Sequence, residues 1–133
     1  IEIRGDGELL RRAIENVLRN ALRFSPAHSN VTLGVSVEHG EMRLRIRDFG
    51  PGVPEDVLER LFDPFFRVED DRNRRQGGAG LGLSIARRAV GVHGGTIEAR
   101  NANPGLRVEI RLALAGDRPE VQGLSAAPGG SGN

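Results

Sequence analysis

The sequence predicts an α+β fold: a two-layer α/β sandwich with a mixed, mostly antiparallel sheet packed on about three helices. Two observations carry this. Apolar residues recur at three-to-four spacing over 7–24 and 81–93, the helical period. They alternate over 30–39, 42–46, 96–100 and 106–114, and these stretches come in pairs joined by short turns. Paired strands set apart from helices favour a sandwich over a doubly wound parallel sheet.

Each element has a local cause. Ile1–Arg4 reads as a short strand. Asp6 suits the N-cap of the first helix, whose expected buried face is Leu9, Leu10, Ala13, Ile14, Val17, Leu18, Ala21 and Leu22. That helix should end near Phe24, before Ser25-Pro26. A hairpin follows, with Val31, Leu33, Val35 and Val37 facing Met42, Leu44 and Ile46 across a His39-Gly40 turn. Pro54 opens a short helix to Phe62 with Val57, Leu58 and Leu61 on one face. Residues 67–78 are nearly all charge and glycine and read as a loop. Leu81–His93 is a second amphipathic helix, closed by Gly94-Gly95. Two last strands, Thr96–Arg100 and Leu106–Leu114, are joined across Asn103-Pro104-Gly105.

Composition bounds the function. At 133 residues the chain suits one domain over 1–115, followed by a flexible tail over 116–133 rich in Gly, Pro, Ser and Ala. The opening Ile-Glu-Ile is what a piece of a longer protein would show. No apolar run approaches the roughly 20 residues that span a bilayer. A net charge of +1 gives no bulk field for nucleic acid. All 19 basic residues are arginine, which excludes the lysine of a P-loop and that of a protein-kinase small lobe. With no cysteine, thiolate nucleophiles and Cys-type zinc sites are excluded.

Three segments carry chemistry. Asn16, Asn20 and Arg23 lie at i, i+4 and i+7 on one helical stripe, with Phe24 close by. Such a stripe also suits a solvated face; the sharper reading gives the Asn20 carbonyl to Mg²⁺, with Asn16 and Arg23 near phosphate. Asp48-Phe-Gly50-Pro-Gly52 is a turn whose carboxylate also suits an adenine amino group, the glycines letting the backbone pass close to the base. Gly78-Ala79-Gly80-Leu81-Gly82-Leu83 precedes a helix, so its backbone can cradle phosphates at that helix's N-terminus. It is not a dinucleotide fingerprint, because the spacing is G-x-G-x-G and a charged loop, not a buried strand, comes before it. Phe62, Phe65 and Phe66 precede Arg67. Phe62 and Phe65 read as core, while Phe66 and Arg67 adjoin the ligand side. His28, His39 and His93 lack metal-ligand spacing. His93, at a helix end, suits the helix dipole.

In this order the segments resemble the catalytic, ATP-binding domain of bacterial sensor histidine kinases. Asn16, Asn20, Arg23 and Phe24 look like its N box, Asp48–Gly52 its G1 box, Phe62–Arg67 its F box and Gly78–Leu83 its G2 box. The resemblance covers about Ile1 to Leu114 and implies a Bergerat-type sandwich of the GHKL superfamily. It implies that ATP is held by Asn16, Asn20, Arg23 and Phe24, by Asp48, Gly50, Gly52 and Val53, by Phe66 and Arg67, and by Gly78, Ala79, Gly80, Leu81, Gly82 and Leu83, with Mg²⁺ on Asn20. The γ-phosphoryl would pass to a histidine on the protein's own dimerisation (histidine-phosphotransfer) domain, and a cognate response regulator would be the next partner. Neither nucleic acid nor direct membrane contact is implied. The expected place is a cytoplasmic domain of a parent in the bacterial inner membrane. Fold-mates that hydrolyse ATP or phosphorylate serine carry Glu at the Asn16 position. Glu15 is adjacent but turned about 100° away, free to pair with Arg19. This favours a histidine kinase over a stand-alone ATPase or a serine kinase of the anti-sigma-factor type.

Overall fold

The computed structural model describes residues 5–66 and 82–115. The expected strand over 1–4, the charged loop from Arg67 and the tail over 116–133 lie outside them.

Helix α1 (Gly7–Phe24) starts where Asp6 Oδ1 accepts the Glu8 and Leu9 amides, at 3.0 and 3.2 Å. These N–H groups have no partner inside the helix, so the cap supplies one. The helix ends at Ser25, whose Oγ donates to Ala21 O. Ala13, Val17 and Ala21 are buried. Leu22 is not: at 64% exposure it lies off the expected apolar face. The reason is geometric. The buried small residues Ala13, Ala21, Ala86 and Ala89 suit a close approach of α1 to α2 (Gly82–Val92), and the apolar contact is a narrow seam.

Strands β1 (Thr32–Glu38) and β2 (Glu41–Arg47) form the expected hairpin. His39 and Gly40 both have positive φ, 54° and 75°, which matches a two-residue turn to the strand twist. With β3 (Thr96–Asn101) and β4 (Leu106–Ala113) the sheet order is β1-β2-β4-β3, and every pair is antiparallel. The core lies between this sheet and the helices, centred on Val17, Ile46, Val90 and Ile110. Leu33, Val35 and Val37 sit opposite Ile46, Leu44 and Met42, but are 46–55% exposed. They are on the helix-side face of an edge strand, and α1 and α2 pack over the neighbouring strands instead.

Glu55–Phe62 forms a 3-10 helix after Pro54 and buries Phe62. Phe65, expected in the core, is 67% exposed at φ 67°; the turn after Phe62 carries it outward. Helix α2 ends at a tight closure in which the Gly95 amide donates to Val90 O and Gly94 takes φ 74°. Here His93 does not serve the dipole through a charge. Its Nε2 accepts the Asp6 amide at 2.8 Å and its Nδ1 faces Ala89 O at 2.8 Å, a pair of bonds that the neutral ring makes. It ties the start of α1 to the end of α2.

Candidate functional site

Asp48 follows the last residue of β2 and is 2% exposed. Its backbone amide donates to Leu106 O at 3.0 Å. Its Oδ1 accepts two amides, Gly50 at 2.9 Å and Leu106 at 3.2 Å. Both bonds fall on one oxygen, so the carboxylate is rigidly aimed and Oδ2 takes neither. A buried acid held this way is an acceptor in search of a donor.

The glycines of this turn have neighbours within the protein. A Cβ on Gly50 would run into the Phe24 carbonyl. One on Gly52, at φ 74°, would stand 2.6 Å from Asn101 Oδ1. One on Gly105 would strike the Asp48 carbonyl. Gly50 therefore joins the end of α1 to the Asp48 turn, and Gly105 lets the β3–β4 loop pass beneath it. Arg47 closes that loop: it donates to Pro104 O at 2.9 Å and stacks 4.1 Å from the Phe49 ring centroid.

On α1, Asn16 Oδ1 accepts from Arg19 at 3.4 Å and lies 4.0 Å from where a Cβ of Gly82 would be. The middle of α1 thus faces the first turn of α2. Asn20 is half-buried on the same stripe, its carboxamide unbonded among the described residues. The Arg23 guanidinium lies 5.5 Å from the centre of the Phe24 ring. Glu15 pairs with Arg11 at 2.6 Å, not with Arg19 as expected; Arg19 turns to Asn16. Either way Glu15 stays off the Asn16 stripe.

Phe66 is half-buried under the Arg60 guanidinium, 4.6 Å away. Val53 is half-buried and joins the core, and its backbone bonds the Asn101 carboxamide. Gly82 opens α2. Leu83 sends its side chain into the core, which leaves only its backbone for a ligand. Arg67, Gly78, Ala79, Gly80 and Leu81 lie outside the described residues. The segments that are described do converge: the Asp48 turn meets the end of α1, and the Asn16 stripe meets the N-terminus of α2. Asn101 and Gly105 were not singled out from the sequence. A weak signal existed, since Asn is depleted in strands and Gly105 follows a proline turn.

This arrangement has known counterparts. A family model described as the histidine kinase-, DNA gyrase B- and HSP90-like ATPase matches residues 5–116. The chain belongs to this family. The sensor protein PfeS of Pseudomonas aeruginosa is 46% identical over 106 residues, covering 80% of this chain and 23% of that protein. The sensor histidine kinase CpxA of Escherichia coli is 39% identical over 111 residues, covering 83% of this chain and 24% of that protein. The chain therefore spans about a quarter of the length of these relatives. The solved mycobacterial sensor histidine kinase MprB superposes with a TM-score of 0.74 at 34% identity, over 84% of this chain and 74% of that one. ShkA, solved full-length in complex with AMPPNP, superposes with a TM-score of 0.71 at 31% identity, over 85% of this chain and 23% of that one. The sandwich is thus the GHKL-type fold that the sequence predicts.

Proposed function

We propose that this chain is the Mg–ATP-binding catalytic domain of a two-component sensor histidine kinase. The observation that carries it is a buried carboxylate, fixed through one oxygen by two backbone amides, beside a helix whose Asn stripe meets another helix's N-terminus, in a chain of this ATPase family. Asp48 Oδ2 accepts the adenine amino group. Guanine presents a carbonyl there and is disfavoured. Phe24 and Val53 flank the base. Asn16, Arg23 and Arg67 meet phosphate, with Phe66 beside them. The N–H groups from Gly78 through Leu83 meet phosphate as well, at the positive end of α2.

Asn20 suits Mg²⁺: a neutral, half-buried amide oxygen with no competing bond among the described residues is the kind of hard ligand that ion takes, along with water and phosphate. The ion would supply charge neutralisation on the phosphate oxygens. The chain's own residues position the nucleotide so that the γ-phosphorus is open to in-line attack. A new P–N bond forms to an imidazole nitrogen as the bond to ADP's leaving oxygen breaks. That imidazole is not in this domain: His28 and His39 sit in exposed turns, and His93 uses both ring nitrogens. The acceptor belongs to the parent's dimerisation domain, from which a response regulator takes the phosphoryl group. No helix among the described residues is long and apolar enough to cross a membrane, and the parent would hold this domain on the cytoplasmic side of the inner membrane.

Isothermal titration with Mg–ADP tests the reading. Wild type binds, and Asp48→Asn, which keeps Oδ1, binds at least about ten-fold more weakly, the loss of one charge-assisted bond. A folded wild-type chain that gives no heat refutes it.

A further inference from the structure

We infer that Asn101 is a positioning residue for the purine end of this site: from the end of β3, its carboxamide holds residues 52–55 and sets the wall against which the base is read. The inference rests on the nucleotide reading above.

The contact is made on both sides of one residue. Asn101 Oδ1 accepts the Val53 amide at 2.9 Å, and Nδ2 donates to Val53 O at 2.6 Å. That pair of bonds reproduces, with a side chain, what a neighbouring strand gives a backbone residue. The same Nδ2 lies 3.2 Å from Glu55 Oε2, at the start of the 3-10 helix. From Pro51 to Val53 no other hydrogen bond among the described residues ties the backbone to the sheet. Gly52 is shaped to this contact as well. Its φ of 74° favours glycine, and a Cβ there would stand 2.6 Å from Asn101 Oδ1.

The position of Asn101 in the sheet gives the clamp its consequence. Asn101 pairs with Leu106 across β3 and β4. The Leu106 amide is one of the two that fix Asp48 Oδ1. The acceptor for the base and the clamp on the wall facing it are thus referred to a single rung of the sheet. Asp48 supplies the hydrogen bond, and Asn101 sets how closely the backbone at 52–53 approaches while that bond is made. A purine lacking the amino group is rejected only if it cannot shift sideways, and the clamped wall prevents the shift. The amide is needed on both counts: Asp at this position would accept from Val53 N–H, but could not donate to Val53 O and would face Glu55.

The test uses the whole chain, titrated calorimetrically with Mg–ADP and Mg–GDP, together with amide hydrogen exchange. Asn101→Ala is expected to weaken Mg–ADP about ten-fold, to shrink the ADP-over-GDP preference several-fold, and to lower Val53 amide protection at least ten-fold. Asn101→Asp, which keeps one of the two bonds, should retain Val53 protection better and still lose part of the preference; it carries the test if the alanine variant does not fold. An Asn101 variant that is folded and keeps the wild-type ADP-over-GDP ratio overturns the inference, whatever its Val53 exchange, while leaving the nucleotide reading intact. A wild type that binds neither nucleotide removes that reading and this inference together.

Discussion

Asp6 sits where two parts of the molecule are joined. Its carboxylate caps α1, and its amide donates to His93 at the end of α2. Replacing Asp6 with Ala removes the cap only, and should cost about 1 kcal/mol in urea unfolding, whereas Asp6→Asn should be nearly neutral because its amide oxygen caps equally well. Asp48 is the contrasting acid. Asn at 48 would still accept the Gly50 and Leu106 amides through Oδ1, so under the proposed function this change should tell on nucleotide binding more than on the fold. What was legible in the sequence was local placement: the Asp6 cap, the turn at Asp48, and Asn16 and Asn20 together on α1. Phe65 and Leu22 were misread because an apolar residue beside a core segment looks the same whether the chain turns it in or out.

At the scale of elements, strands β4 and β1 show how position in the sheet decides energy. Ile110 on β4 is 1% exposed between two neighbouring strands and beneath the helices. Ile110→Ala should cost about 2–5 kcal/mol, as lost burial plus a cavity, read from the shift in urea midpoint. Val35 on β1 has the same alternating pattern but is 55% exposed at the sheet edge. Val35→Thr should stay within about 0.5 kcal/mol of wild type. Alternation in the sequence identified both strands. It could not rank them, because strand order follows from which hairpins dock together, here β2 on β4.

Across the whole molecule, the outer face of the sheet is held by charge. Glu98 on β3 stands directly opposite Glu109 on β4, a repulsive pair. Arg111 reaches both, at 3.7 and 3.2 Å, and Arg45 Nε lies 3.0 Å from Glu109 Oε2 as an ion pair without hydrogen-bond alignment. Burial alone would raise the Glu109 carboxyl, but the Arg111 hydrogen bond and the charges of Arg111, Arg45 and Arg43 outweigh it and hold it below its ordinary value of 4.5. A depressed carboxyl stabilises the fold above its unfolded value, and that contribution is lost as pH falls through the folded one. Stability should therefore decline as pH drops below about 4.5, and Glu109→Gln should flatten the decline in thermal melts. Arg111→Ala removes the one cation that both glutamates share and should lower the melting temperature near neutral pH, seen in the same melts.

The sequence by itself determined the elements, their order and the short motifs, because period, capping and turn chemistry act over a few residues. Tertiary structure alone decided that β1 is an edge, that Asn101 from the far end of the chain grips Val53, and that Arg111 reconciles two glutamates. Those contacts join residues far apart in the chain, and no local pattern encodes which strands and helices will meet.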